Sequence, residues 1–385
     1  MRLMFSSGAG YSHIKPMLPL AVAARDAGHD VVFVTGPEAV RYPEEAGLYT
    51  VAIGAPPGGS GDNGMWQRAR AEMETLSRDE RMSHLMAHYM VGMGAAARLD
   101  DVLAFVRGWK PDLVVSSLAE RAAVMAAAIV DVPYAMHAIG PPKAATTMAE
   151  AWRVAGELVR RHGLDRLPPR DDVPYLDIWP AGLRPDGVAW EYPTRWALRP
   201  EDALPVTAER PAVLDGLPFA RTVYLTLGTT HNTRPGVLET MVSALRDEEV
   251  NLVVTIGRDG DRERFGSRPE HVRIEHFVPQ QQLLPQVDAV VCHAGAATVL
   301  GALGHGVPLV VSPLATDQFD IADQVADAHV GVLAEPTEDD LRLAVRALGA
   351  DPSLRESAAT MAGEIAAMAP PATVLDRLVA YARES

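Results

Sequence analysis

The 385-residue chain is predicted to be an α/β protein of two doubly wound, Rossmann-like domains facing a cleft. Three observations carry this. The length exceeds what one ordinary core accommodates. Short continuous apolar runs alternate with helical periodicity in both halves, the pattern of parallel strands covered on both faces. The alternation is interrupted once, by a proline-dense stretch from Leu167 to Phe219.

In the first half, residues 2–6 read as a strand, 16–27 as a helix closed by Gly28, and 30–35 as a second strand. Pro56-Pro-Gly-Gly-Ser-Gly-Asp-Asn-Gly64 consists of turn formers and is expected to be a mobile loop. Residues 65–108 are expected to be helical and are rich in methionine; 112–116 follow as a buried strand, then an alanine-rich helix over 120–130. A strand at 133–138, a helix at 147–162 and a strand-like run at 175–179 complete this half. The second half gives strands at 222–227, 251–256, 272–277, 289–292, 309–312 and 331–333 with helices between, and a terminal helix at 372–383. The expected division is residues 1–192 as an N-terminal domain, 193–218 as a linker and 219–368 as a C-terminal domain. Residues 369–385 are expected to be a helix returning to the first domain. Ligands of such sheets bind at the C-terminal ends of the strands.

Composition narrows the function. Hydrophobic residues at 48% suffice for two cores and argue against disorder. A single cysteine, Cys292, excludes a disulfide framework and a cysteine-rich metal site. The first residues, Met1-Arg-Leu-Met-Phe-Ser6, lack the features of a signal peptide. The apolar run 122–130 is cut by Asp131 and is too short to span a bilayer, so a cytoplasmic location is expected. The net charge of −15, without a Lys/Arg block, excludes non-specific nucleic-acid binding. An anionic ligand must be held locally, against an unfavourable overall field.

Chemistry concentrates in Phe277-Val-Pro-Gln280, Leu283-Leu-Pro285, Val290-Val-Cys-His-Ala-Gly-Ala-Ala-Thr298, Gly306-Val-Pro-Leu-Val-Val-Ser-Pro313 and Asp317-Gln318. His293 to Thr298 forms a strand-to-helix turn of small residues. Amides at the helix start, with His293 and the Thr298 hydroxyl, suit a diphosphate; the same residues would also make a tightly packed turn. Leu225-Thr-Leu-Gly-Thr-Thr230 is a second strand running into a glycine turn. In Ser6-Ser-Gly-Ala-Gly-Tyr-Ser-His13, the histidine follows a glycine-rich loop and precedes Pro16 at a helix start. A histidine there stays neutral, as a general base must, though it could equally be an exposed loop residue.

The segment from Phe277 to Gln318 resembles the donor-binding signature of family-1, GT-B-fold glycosyltransferases, Pro-Gln … Leu-Leu … His-His-Gly-Gly-x-Gly-Thr … Gly-Val-Pro … Pro … Asp-Gln. Arg166-Leu-Pro-Pro169 and Ile178-Trp-Pro-Ala-Gly-Leu-Arg-Pro185 are similar to the bacterial natural-product (antibiotic) tailoring branch, so the resemblance covers nearly the whole chain. Two departures stand out: Cys292 replaces the first histidine, and Ala294 and Ala297 replace glycines.

The resemblance implies that Phe277 flanks the base, and that Val278 and Gln280 address the nucleoside. It assigns Gly228, Thr229, His293, Gly295, Ala296 and Thr298 to the diphosphate, and Asp317 and Gln318 to the sugar hydroxyls; from position alone, Asp317 also fits a helix cap. His13 matches the family's general base. The acidic residue that orients it is Ser117 in the simplest alignment, with Glu120 three residues on. Glu120 either substitutes for that acid or is a helix-start carboxylate favoured by the dipole.

The implied activity is an inverting, metal-independent O-glycosyltransferase, moving a deoxysugar from a dTDP- or UDP-sugar co-substrate to a hydroxyl of a small lipophilic natural product. No prosthetic group and no metal is called for. The partners are the aglycone acceptor and the nucleotide-sugar donor; a homodimer is admitted, nucleic acid and membrane are not. Met65, Trp66, Met73, Met82, Met86, Met90 and Met93 suit a greasy acceptor surface, with helical core packing as the alternative. His137, Trp152, Trp179 and Trp190 admit both readings. Two other functions compete. A non-catalytic activator partner of the same fold is disfavoured by retention of His13 and the donor signature. An NAD(P)-dependent oxidoreductase is disfavoured because His13 stands at the third glycine of its fingerprint and Thr35-Gly36 where an acidic ribose ligand belongs.

Overall fold

Runs such as Val31–Val34 and Leu252–Val254 have apolar side chains at every position, so they are stable only where both faces of a sheet are covered. The computed structural model, which describes residues 1–54, 71–203, 209–228, 232, 234–258 and 260–385, places them in two such sheets. The chain divides into two units. The first comprises Met1–Trp179, Asp186–Leu204 and Ala369–Ser385, the second Pro180–Pro185 and Pro205–Met368.

The first unit holds seven strands: β1 (Arg2–Ser6), β2 (Asp30–Thr35), β3 (Tyr49–Ala52), β4 (Leu113–Ser117), β5 (Tyr134–His137), β6 (Tyr175–Asp177) and β7 (Arg195–Ala197). All pairings are parallel, in the order β3-β2-β1-β4-β5-β6-β7. The order reverses beside β1, so the ends of β1 and β4 form this unit's topological switch point. β3 is an edge strand with Tyr49 exposed; residues 48–53 are apolar except for Thr50, yet they are not among the strands expected from the sequence.

Residues 195–197 lie in the stretch expected to be a linker, yet they form β7, paired with β6 and tied to it by the Arg195–Asp177 ion pair. Three residues between prolines 193 and 200 are too few to show a period. Conversely, Pro180–Pro185 belongs with the second unit, where Glu364 accepts the Gly182 amide at 3.0 Å. The final helix, Pro371–Glu384, is part of the first unit and packs on the helix Leu18–Asp26. Arg377 lies 4.2 Å over the Trp196 ring.

The methionine-rich stretch is helical at residues 71–74 and again from Arg78, but Leu85–Ala95 is a π-helix between the α-helices Arg78–His84 and Ala96–Trp109. A side chain at Gly92 or Gly94 would press on the carbonyl oxygen five residues back, at 3.0 Å from Ala87 and 3.2 Å from Tyr89. The wider turn is thus built on these two glycines. Met86 is buried, Met73, Met82 and Met90 are half-buried, and Met93 is exposed. Pro56–Gly64, Met65 and Trp66 lie outside the described residues.

The second unit has β8 (Thr222–Thr226), β9 (Asn251–Thr255), β10 (Val272–Glu275), β11 (Ala289–Cys292), β12 (Leu309–Val311) and β13 (Gly331–Leu333), parallel in the order β10-β9-β8-β11-β12-β13. Its switch point lies between β8 and β11. Among the described residues no helix is long and apolar enough to cross a membrane.

Candidate functional site

In the second unit, β8 and β11 end side by side, with Thr226 opposite Cys292. β8 runs into Gly228 and β11 into His293. Cys292 is fully buried, and burial pushes its thiol up to about 12, so it fills space and is not a nucleophile.

The His293 ring, in a residue only 7% exposed, rests on two glycines. A β-carbon on Gly228 would stand 2.9 Å from its Cε1, and one on Gly295 would stand 2.7 Å from its Nε2. Real β-carbons do not come so close, so both positions must lack a side chain for the imidazole to lie here. Gly228 also has φ of 65°. Ala294 adopts φ of 62° while fully buried, where the signature has glycine. That left-handed conformation costs an alanine on the order of 1–2 kcal/mol, so the departure from the signature shows as stored backbone strain.

Gly295 is the N-cap of the helix Ala296–Gly304. The amides of Ala296 and Ala297 precede its first intrahelical bond, so they carry the positive end of the dipole. Thr298 is buried in the same first turn, its amide bonded to the Gly295 carbonyl at 3.0 Å. Gly228, His293, Gly295, Ala296 and Thr298 therefore converge. Thr229 lies outside the described residues.

A chain of hydrogen bonds runs beneath this turn, and motif reading missed it. Gln280 Nε2 donates to Tyr224 Oη at 3.3 Å, and Tyr224 Oη and Thr255 Oγ1 are 2.8 Å apart. Thr255 donates to Thr226 Oγ1 at 3.0 Å, which also accepts the Gly228 amide at 3.2 Å. The available signal was polar residues at the ends of otherwise apolar strands, with Thr226 and Thr255 paired in register.

β10 ends at Glu275, two residues before the expected boundary, so Phe277 stands on the following loop. Its ring is 57% exposed, with the Arg258 guanidinium 5.0 Å over it. Val278 beside it is buried. Beyond β12, Asp317 occupies the N-cap of the helix Gln318–Asp327, but its side chain makes no capping hydrogen bond. Gln318 is buried, and its Oε1 accepts the amides of Leu314 at 2.9 Å and Ala315 at 3.1 Å, which fixes the loop in front of it.

In the first unit, His13 lies in the short helix Tyr11–Ile14, half-buried, its amide bonded to the Gly10 carbonyl at 2.9 Å. Its ring sits over the glycine loop: a β-carbon at Gly10 would be 3.6 Å from the imidazole. Glu120 is buried at the switch point. Its Oε2 accepts from Ser6 Oγ at 2.9 Å and the Ala123 amide at 3.1 Å, and its Oε1 accepts the Ala122 amide at 2.9 Å. Arg98 Nη1 lies 3.7 Å from Oε1. Glu120 thus caps the helix Ala122–Ile129 and at the same time clamps Ser6, from which the His13 loop departs. Ser117 is buried, and its Oγ accepts the Ala119 amide at 3.4 Å. Arg98 and Ser6 were not singled out in the sequence.

Of the ambiguous aromatics, Trp179 is fully buried, Trp190 is half-buried, and Trp152 donates to Glu191 at 2.7 Å. His137 is fully buried at the end of β5, with Nδ1 donating to the Ala138 carbonyl at 2.6 Å. Burial lowers its imidazole from 6.5 to about 4, partly opposed by that bond. The unfolded chain therefore takes up a proton where the folded one does not. Stability is full above the unfolded value and falls as the pH drops from there toward the folded one, by up to about 3 kcal/mol. Urea midpoints at pH 7 and pH 5 should differ less in His137→Gln than in the native chain; an equal drop would assign the acid sensitivity to other groups.

Two doubly wound sheets, each with its polar side chains gathered where the strand order reverses, are the build of a GT-B glycosyltransferase. The comparisons agree. The N-terminal domain of the erythromycin biosynthesis protein CIII-like family matches residues 22–216 and its C-terminal domain residues 239–381. The chain belongs to this family and is a glycosyltransferase. L-demethylnoviosyl transferase of Streptomyces niveus is 31% identical over 100% of this chain and 99% of its own length. 3-alpha-mycarosylerythronolide B desosaminyl transferase of Saccharopolyspora erythraea is 28% identical over 100% of both. Among solved structures, the glycosyltransferase SnogD from Streptomyces nogalater superposes with a TM-score of 0.76 at 29% identity, covering 99% of each chain. The glycosyltransferase VinC, in complex with dTDP, superposes at 0.78 with 25% identity, covering 100% of each.

Proposed function

We propose that the chain is an inverting O-glycosyltransferase, carrying a deoxysugar from a dTDP- or UDP-sugar to a hydroxyl of a natural-product aglycone. The observation that carries this is the His293 imidazole seated on Gly228 and Gly295 at the start of a helix. Donors converge there on one point, as a departing diphosphate requires. The dTDP complex of VinC supports the thymidine form of the donor, and the names of the relatives support a deoxysugar and an antibiotic-type acceptor.

Phe277 offers its exposed face to the base, and Val278 and Gln280 meet the nucleoside. Ala296 and Ala297 amides, His293 and Thr298, with Gly228 and Thr229, hold the diphosphate. Asp317 accepts from sugar hydroxyls. The Gln318 oxygen is committed to its own loop, so a bond from Gln318 to the sugar is donated by its amide nitrogen. His13 takes the acceptor proton as the acceptor oxygen attacks the anomeric carbon and the nucleoside diphosphate leaves from the opposite face.

Calorimetry with dTDP and UDP tests the donor site. His293→Ala should weaken nucleotide binding by roughly 1–3 kcal/mol, the worth of a hydrogen bond to a charged group; unchanged affinity would remove His293 from it.

Leaving-group charge in this scheme is met by fixed donors. Transfer should therefore persist in excess EDTA. Loss of turnover with EDTA, restored by magnesium or manganese, would contradict that account.

A further inference from the structure

In the first unit, the helix Ala145–Arg160 and residues 165–170 border an open pocket of about 350 Å³, lined by none of the residues given a role in the proposed reaction. Arg153, Arg160, Arg166 and Arg170 line it, against a single acid, Asp165. Glu150 and Glu157 neutralise Arg153. Among the described residues no carboxylate pairs with Arg160, Arg166 or Arg170. The Arg170 guanidinium lies 5.7 Å from the centre of the Trp152 ring, with its Nη1 buried and without a hydrogen-bond partner. Trp152 is itself held by Glu191, and Arg121 lies 5.3 Å from its ring. In a chain of net charge −15, three unpaired guanidiniums around one concavity are a local cationic centre of the kind an anion needs.

A second observation concerns Gly156, which lies on the pocket face one turn from both Trp152 and Arg160. Glycine inside a helix costs about 1 kcal/mol relative to alanine. Here neither backbone nor packing asks for it: its φ is not positive, and an added β-carbon would meet nothing within 4 Å. What the missing side chain provides is open volume in the pocket.

We propose that this pocket binds a small oxyanion, a phosphate ester or a polycarboxylate, through Arg160, Arg166 and Arg170 over the Trp152 platform. Guanidiniums present paired N–H groups to two oxygens at once, geometry shared by phosphate and carboxylate ligands. The volume falls within the range of small-molecule sites.

The test is titration calorimetry of the full chain with pyrophosphate and, separately, with citrate, at constant ionic strength. His293→Ala serves as the background, so that the diphosphate cradle of the second unit is weakened, and any binding left there is insensitive to substitutions in the first unit's pocket. Binding of either anion is expected, weakened about tenfold or more in the Arg160→Ala, Arg166→Ala double variant, as for loss of a charge-assisted contact. Gly156→Trp should weaken it as much, because it fills the volume while leaving every arginine in place. A response to pyrophosphate alone identifies a phosphate ester, and to citrate alone a carboxylate. If neither anion binds, or if binding is the same in both variants as in the background, the proposal is overturned.

Discussion

His13→Ala is expected to bind donor normally and to lose transfer to an aliphatic hydroxyl by about 10²–10⁴-fold, the usual worth of a positioned general base. An acidic phenol, partly ionised before it reaches the enzyme, should lose less. The native pH profile should rise as the imidazole deprotonates, and the variant should lack that limb. Glu120 gives a second handle. Its carboxylate holds Ser6 at the root of the His13 loop and lies near Arg98, and we propose that through Ser6 it positions the imidazole. Glu120→Gln should lower kcat by less than His13→Ala and shift the rising limb. Lost thermal stability with an unmoved limb would leave Glu120 a helix cap alone. Near-normal turnover of His13→Ala on an aliphatic alcohol would sink the base assignment.

The two sheets were legible because their strands are unbroken apolar runs with no other stable placement. The signature from Phe277 to Gln318 was legible because it is continuous in sequence. β3 and β7 were not: β7 is three residues among polar neighbours that erase the period, and β3, apolar but for Thr50 over residues 48–53, is a short edge strand running straight into the turn formers of 56–64. The chain from Gln280 through Tyr224 and Thr255 to Thr226 joins residues on three separate segments, so only register brings it together. The role of Glu120 was open for the same reason: a carboxylate three residues past a strand looks alike whether it orients His13 or serves a helix start, and in the structure it accepts the first amides of the helix Ala122–Ile129 and also holds Ser6. Ala294 gave no local sign of strain, because a left-handed φ belongs to the turn and not to the residue type.

The glycines around His293 lead to a prediction that separates two explanations of the signature. Glycine at a phosphate turn is ordinarily explained by approach of the ligand to the backbone. Here a β-carbon at Gly295 would first strike the His293 ring, at 2.7 Å from Nε2. The backbone of Gly295 is extended, with φ of −69°, so alanine adds no conformational strain there. Gly295→Ala should therefore leave stability nearly unchanged while swinging the imidazole away. Its cost in dTDP affinity should be that of losing the ring, roughly 1–3 kcal/mol or about 5- to 150-fold. In a His293→Ala background the clash is gone, and the same substitution should cost little, so the two changes should be strongly non-additive. Gly228→Ala should show the same coupling to His293, with an added stability loss of about 1–2 kcal/mol for a left-handed alanine. Calorimetry on the four members of the Gly295 and His293 cycle decides the matter. If Gly295→Ala costs as much without the imidazole as with it, the glycine serves the ligand directly and the ring does not depend on it.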